Sequence, residues 1–201
     1  MVDRHTYIIK DPEVAKLLAD ETRRQILNLL RKNENSATDL AKALGKNHSS
    51  IVHHLNTLLD AGLIKVAREE KVRNMIQPYY RTVAHNLHVA YSLTEALSQD
   101  PDYVAWQEDF VEKLLQSLEA YNFDIPEDKK EDVKELLRTM YLRRKKAYEE
   151  RISQRTGPVE TSKYAVRSVA HILSHIQLMK DKEYMDALTR LSDIIGGLKE
   201  R

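Results

Sequence analysis

Ser49, Ser50, His53 and Thr57 recur at a spacing that sets them along one side of a helix opening at Asn47. An ordinary solvated helix face carries Glu and Lys. Small hydroxyls and imidazoles at a helix N-terminus do something else: they let the helix come close to base edges and phosphates, where backbone N–H groups and the positive dipole end add donors. Lys46, Asn47, His48 and His54 lie at the same end or on its flanks and join the candidate contact set. The plainer reading of Ser49 and Ser50 is that they cap or solvate the first turn. Ser, His and Asp60 also invite a hydrolase reading, but on one continuous helix they form no pocket.

The surrounding residues are those needed to present such a face. Ser36 suits the N-cap of a preceding helix with Asp39 in its first turn, and Leu40, Ala43 and Leu44 share its inner side. Gly45 can take the positive φ that closes a helix, and Asn47 can cap the next. Within 47–61, Ile51, Leu55, Leu58, Leu59 and Gly62 cluster opposite the polar face, with Val52 leaning toward them. Alternation then predicts strands over 63–69 and 75–83, joined by a polar tip at 69–74. Pro78 suits an edge strand. Arg68, Lys71 and Arg73 are candidate contacts to phosphate or the minor groove, against a solvated turn as the alternative. A helix-turn-helix followed by a hairpin is a device for laying one helix in a DNA major groove.

Ala19-Asp20-Glu21-Thr22-Arg23-Arg24-Gln25-Ile26-Leu27-Asn28-Leu29-Leu30 resembles the opening helix of the ArsR-type winged helix-turn-helix transcriptional regulators of bacteria and archaea. Ile51-Val52-His53-His54-Leu55 resembles their recognition-helix core, Asp60-Ala61-Gly62-Leu63-Ile64 the junction that follows, and Pro78-Tyr79-Tyr80-Arg81 the end of their wing. The resemblance spans residues 11–92 and implies a regulator that binds double-stranded DNA as a homodimer. Val52 stands where that family usually has a small polar residue. The chain has no cysteine, so the thiolate metal site of the family's metal sensors has no ligands here.

Composition bounds the rest. The 201 residues suit one elaborated domain or two small ones. The net charge of +1 is unevenly spread: residues 1–92 hold 14 Lys/Arg against 10 Asp/Glu, whereas 93–201 hold 18 against 21. The DNA contact is therefore expected to be local rather than a broad basic field. No apolar run is long enough to span a membrane, and absence of cysteine is consistent with a cytoplasmic location.

Proline, glycine and apolar periodicity predict helices near 12–19, 21–32, 36–44, 47–61, 84–98, 101–121, 127–155, 161–180 and 182–198, with a short third strand at Tyr7–Ile9. The expected architecture is mainly α with a small β-hairpin wing: a winged helix-turn-helix domain over 1–92 and a C-terminal helical domain over 93–201. The apolar faces of the latter need each other or a second subunit for burial, so it is read as a dimerisation domain with ligand sensing as a second role. The helix near 84–98 is expected to share in the dimer interface. His171 and His175 have i,i+4 metal-ligand spacing but lack a metalloprotease Glu, and border an apolar stripe. His85 and His88 form a similar pair. Arg143-Arg144-Lys145-Lys146 reads as a solvated face with Glu149 and Glu150 beside it. There is no phosphate loop and no nucleophile elbow. The chain is thus read as a non-enzymatic transcription regulator without cofactor, and no feature of the sequence identifies a small-molecule effector. The rival reading is a winged-helix protein-interaction module that scaffolds a complex.

Overall fold

The computed structural model describes residues 4–72, 74–154 and 162–197. The chain divides into two compact units, Met1–Tyr103 and Val104–Arg201.

The first unit begins with strand β1 (Arg4–Ile9), then α1 (Pro12–Lys16), a 3-10 turn at Leu17–Ala19 and α2 (Glu21–Lys32). Asp11 and Asp20 cap these helices by accepting the Glu13 and Arg23 N–H groups. Arg23 and Arg24 reach back to the last carbonyls of the 3-10 turn: Arg23 Nε donates to Leu17 O at 2.6 Å, and Arg24 Nη1 to Leu18 O and Ala19 O at 2.7 and 2.6 Å. The arginine pair therefore locks the angle between the two segments. After β2 (Asn35–Ser36) come α3 (Ala37–Leu44) and α4 (His48–Asp60), and then the hairpin β3 (Ile64–Val72) and β4 (Met75–Thr82). The antiparallel sheet runs β2-β4-β3, with a register shift between Val66 and Arg68. Ile26, Leu30, Leu40, Ile51, Leu55, Leu58, Leu63 and Ile64 form its buried centre. Leu59, expected to face inward, is exposed.

The sequence pattern misassigns the segment after the hairpin. Instead of a helix over 84–98, Ala84–Val89 forms strand β5, followed by a 3-10 turn at Tyr91–Leu93 and the single-turn α5 (Thr94–Leu97). The expected third strand at Tyr7–Ile9 exists as β1, and it pairs in parallel with β5. The cause is tertiary: His, Asn and Val are indifferent helix formers, and β1 offers a ladder that buries Ile9, Ala84, Val89 and Ala90. His85 and His88, three apart in a strand, point to opposite faces rather than forming a pair.

The boundary between the units falls inside α6 (Pro101–Ser117), which is followed by a 3-10 turn at Leu118–Tyr121 and a stop at Asn122 in the left-handed region. In the second unit α7 (Lys130–Ser153) is the spine, with α8 (Lys163–Leu178) and α9 (Lys182–Gly196) packed on it. Leu115, Ile125, Val133, Leu136, Ala187 and Leu191 make its core, and a second cluster joins Ala147, Leu178 and Tyr184. Within the basic run, Arg143 is turned inward. Its Nε donates to Asp181 Oδ2 at 2.9 Å, and Asp181 also caps α9 by accepting the Tyr184 N–H. Burial of Lys145 lowers its pKa. That face is thus partly structural rather than simply solvated. Among the described residues, no helix is long and apolar enough to cross a membrane.

Candidate nucleic-acid interface

The turn between α3 and α4 is built by local hydrogen bonds. Ser36 and Asp39 form a reciprocal capping box: the Asp39 N–H donates to Ser36 Oγ at 3.2 Å, and the Ser36 N–H donates to Asp39 Oδ2 at 3.0 Å. These bonds to Ser36, more than any nearby cation, lower the Asp39 pKa and keep it ionised at the helix N-terminus. Gly45 closes α3 at φ +62°, with the Lys46 N–H reaching Ala41 O at 3.0 Å and the Gly45 N–H reaching Lys42 O at 3.4 Å. Gly62 closes α4 in the same manner at φ +66°, with the Leu63 N–H on Leu58 O. The recognition segment is thus bracketed by two left-handed glycines, and Ile51, Leu55 and Leu58 fix its rotation by burying one face.

That rotation leaves Lys46, Asn47, His48, Ser49, Ser50 and His53 exposed. Asn47 and Ser49 hold the first turn in place. Asn47 Oδ1 accepts both the Ser49 N–H at 2.9 Å and the Ser49 hydroxyl at 2.8 Å. Lys46, His48 and Ser50 make no side-chain hydrogen bond among the described residues. Thr57 is half-buried and spends its hydroxyl proton on His53 O at 3.0 Å. His54 is turned further inward than its sister. Its Nδ1 is buried without a hydrogen-bond partner among the described residues, and burial, more than the nearby Arg23, lowers its pKa below the usual imidazole value. From Leu40 to Leu59 there is no acidic residue, so the exposed end of α4 is electrostatically open to an anion.

The wing is less simple. Lys71 is exposed on β3; Arg73 lies outside the described residues. Arg68 is engaged within the protein. Its Nε donates to Glu34 Oε2 at 3.0 Å, its Nη1 pairs with Glu70, and its guanidinium carbon sits 3.7 Å from the centroid of the Tyr79 ring. A phosphate would have to compete with two carboxylates and a ring for that group. The Tyr79 hydroxyl also donates to Glu70, which raises the Tyr79 pKa. Val72, Met75 and Ile76 are exposed at the hairpin end, a feature that a tip judged only by its polar residues conceals.

His171 and His175 do not come together with a third ligand: among the described residues, no group of three or more His, Cys, Asp or Glu is placed to hold a metal ion. The His171 ring stacks on Tyr148, centroids 4.7 Å apart and 17° from parallel. Burial, then Arg167 and Arg144, lowers its pKa.

Comparison with known proteins supplies the family. The pattern of the bacterial regulatory protein, arsR family, matches residues 20–66. The chain is 31% identical over 100 residues to the transcriptional repressor SdpR of Bacillus subtilis, covering 50% of this chain and 91% of that protein. Among solved structures, it resembles a homodimeric winged helix-turn-helix DNA-binding domain from Mycobacterium bovis, described as a possible ArsR-family transcriptional regulator, at 34% identity and TM-score 0.31. That match covers 35% of this chain and 61% of the other. It also resembles Bacillus subtilis PadR in complex with operator DNA, at 17% identity and TM-score 0.29 over 85% of this chain and 98% of that one. Since nearly the whole of SdpR aligns, and the matched pattern covers the helix-turn-helix just described, this chain belongs to the ArsR family of bacterial regulatory proteins.

Proposed function

We propose that this protein is a sequence-specific DNA-binding transcription regulator that acts as a homodimer in the cytoplasm. It works by occupying DNA rather than by catalysis. Residues 1–92 supply the DNA-binding domain, and residues 93–201 supply a helical domain for dimerisation and ligand sensing. Helix α4 enters the major groove through Lys46, His48, Ser50 and His53, with Asn47 and Ser49 holding its first turn and His54 and Thr57 at the margins. The hairpin lies on the backbone or minor groove, led by Lys71.

The observation that carries this reading is the exposed, acid-free N-terminal end of α4, whose orientation is set by a buried opposite face. Phosphate contacts there fix position, and the small polar side chains read base edges. Family membership and the repressor relative support it. The test is selection of bound genomic fragments by the purified full chain, followed by footprinting. The expected result is a two-fold related site whose halves lie about 34–36 Å apart, or a multiple of that. Binding that is equal for selected and scrambled duplexes, or no binding at all, would favour the protein-interaction module.

A further inference from the structure

Helix α8 is oriented the wrong way round for a monomer. The side packed on α7 is largely polar. Ser174 is 5% exposed and donates to Ala170 O at 2.7 Å, and Gln177 accepts from Arg151 Nε at 2.9 Å and donates to Glu150. Leu178 is the one large aliphatic side chain this helix buries among the described residues. The opposite side carries Val169, Ile172, Leu173, Ile176 and Met179, between 43% and 69% exposed. A solvent-facing helix ordinarily shows the reverse arrangement, apolar inward and polar outward.

The outer stripe has a definite register. Ala165, Val169, Ile172, Ile176 and Met179 are spaced by four, three, four and three, the heptad seam of a helix that packs against another helix. Positions flanking the seam are Val166, Ser168, Leu173 and His175, with Lys180 just beyond its end. Nothing along it selects a charged partner, and no fixed charge would repel an identical copy across most of its length. The exposed apolar side chains amount to on the order of 500 Å² per protomer. Two copies would then bring together about 1,000 Å², the lower bound for a specific interface. A stripe of that size lies toward the upper end of the roughly 300–600 Å² that the largest apolar patch on a monomer reaches, and such patches commonly serve an interaction.

We infer that the outer face of α8 is a homodimer seam, covered by α8 of a second copy of this chain through a two-fold axis. This rests on the reading of the chain as a homodimeric regulator and goes beyond it by assigning the surface. An isologous contact needs one patch complementary to itself, which an uncharged heptad stripe provides.

The chain has no cysteine, which makes the test clean. Full-length Ile172→Cys and Ile176→Cys are oxidised at micromolar concentration, with Glu119→Cys, on an exposed turn, as control. In parallel, wild type and the double variant Ile172→Lys/Ile176→Lys are sedimented, and their helicity and affinity for selected DNA are measured. Both isoleucines are more than half exposed, so the double variant should keep wild-type helicity and melting. The expected result is a cross-linked dimer from at least one of the α8 cysteines and none from the control, with the dimer dissociation constant raised at least 100-fold by the lysines. A monomeric wild type overturns the seam, as does a dimer that neither cross-links at 172 or 176 nor responds to the lysines. If that insensitive dimer still binds DNA selectively, the regulatory reading survives. Conversely, a wild type that dimerises through α8 but selects no DNA keeps the seam and removes the regulatory reading.

Discussion

Ser50→Glu separates folding from DNA binding at a single position. Ser50 is the third residue of α4, counted from the Asn47 cap. Glutamate is favoured there: its carboxylate lies by the positive helix end and can reach back to the cap N–H, which together contribute about 0.3–1 kcal/mol of stability. The side chain is exposed and makes no hydrogen bond to the protein among the described residues, so nothing is lost from the folded state. On DNA the sign reverses. Loss of one good contact costs about 1–3 kcal/mol. A carboxylate roughly 5 Å from a phosphate, at an effective dielectric of about 20–40, adds roughly 2–3 kcal/mol of repulsion. The combined cost of about 3–6 kcal/mol corresponds to a roughly 10²–10⁴-fold weaker complex for each half-site, at about 1.4 kcal/mol per decade. Fluorescence anisotropy on a selected duplex at fixed ionic strength measures the affinity, and a thermal melt of the same sample measures the stability. The reasoning is refuted if Ser50→Glu melts like wild type and binds within threefold of it, since α4 would then not present its N-terminal face to DNA.

Two further perturbations test the frame around that helix. Gly45→Ala meets open space, so its cost should be backbone strain alone, about 1–2 kcal/mol for an L-residue held at positive φ, with Gly45→Asn milder; an alanine variant that melts unchanged in urea or heat would rule out the left-handed turn. For His54, burial puts the folded pKa below the unfolded value of about 6.5, so the unfolded chain binds the extra proton. Stability from this group is therefore fully present above about pH 6.5 and falls as pH drops toward the folded pKa, with a slope no steeper than about 1.4 kcal/mol per pH unit. Urea unfolding between pH 7.5 and 5 should show a shallower decline in His54→Leu than in wild type, and parallel curves would place the imidazole in solvent.

What the sequence determined by itself is the helix-turn-helix. The Ser36 cap, the Gly45 turn, the Asn47 cap, the Gly62 stop and the buried row Ile51, Leu55 and Leu58 were all legible, because each depends on neighbours within about one helical turn. The outward position of Ser50 and His53 followed from the same periodicity. Tertiary structure decided everything whose partner lies far along the chain. Ala84–Val89 became a strand because β1, some eighty residues earlier, offered a ladder. Arg68 was drawn to Glu34 as well as to its neighbour Glu70, and His54 was turned from the flank of α4 toward the Asp20–Arg23 end of α2. The Arg143 side chain left its basic run to hold Asp181. The outward apolar face of α8 is the sharpest case. Its periodicity predicts burial, but which of the two faces meets α7 depends on what α7 offers: Arg151 and Glu150 engage Gln177, while Ser174 can be buried because it spends its hydroxyl proton on Ala170 O within α8. Local geometry is set by bonds the chain makes with itself nearby; the choice among competing faces is set by what the rest of the fold leaves available.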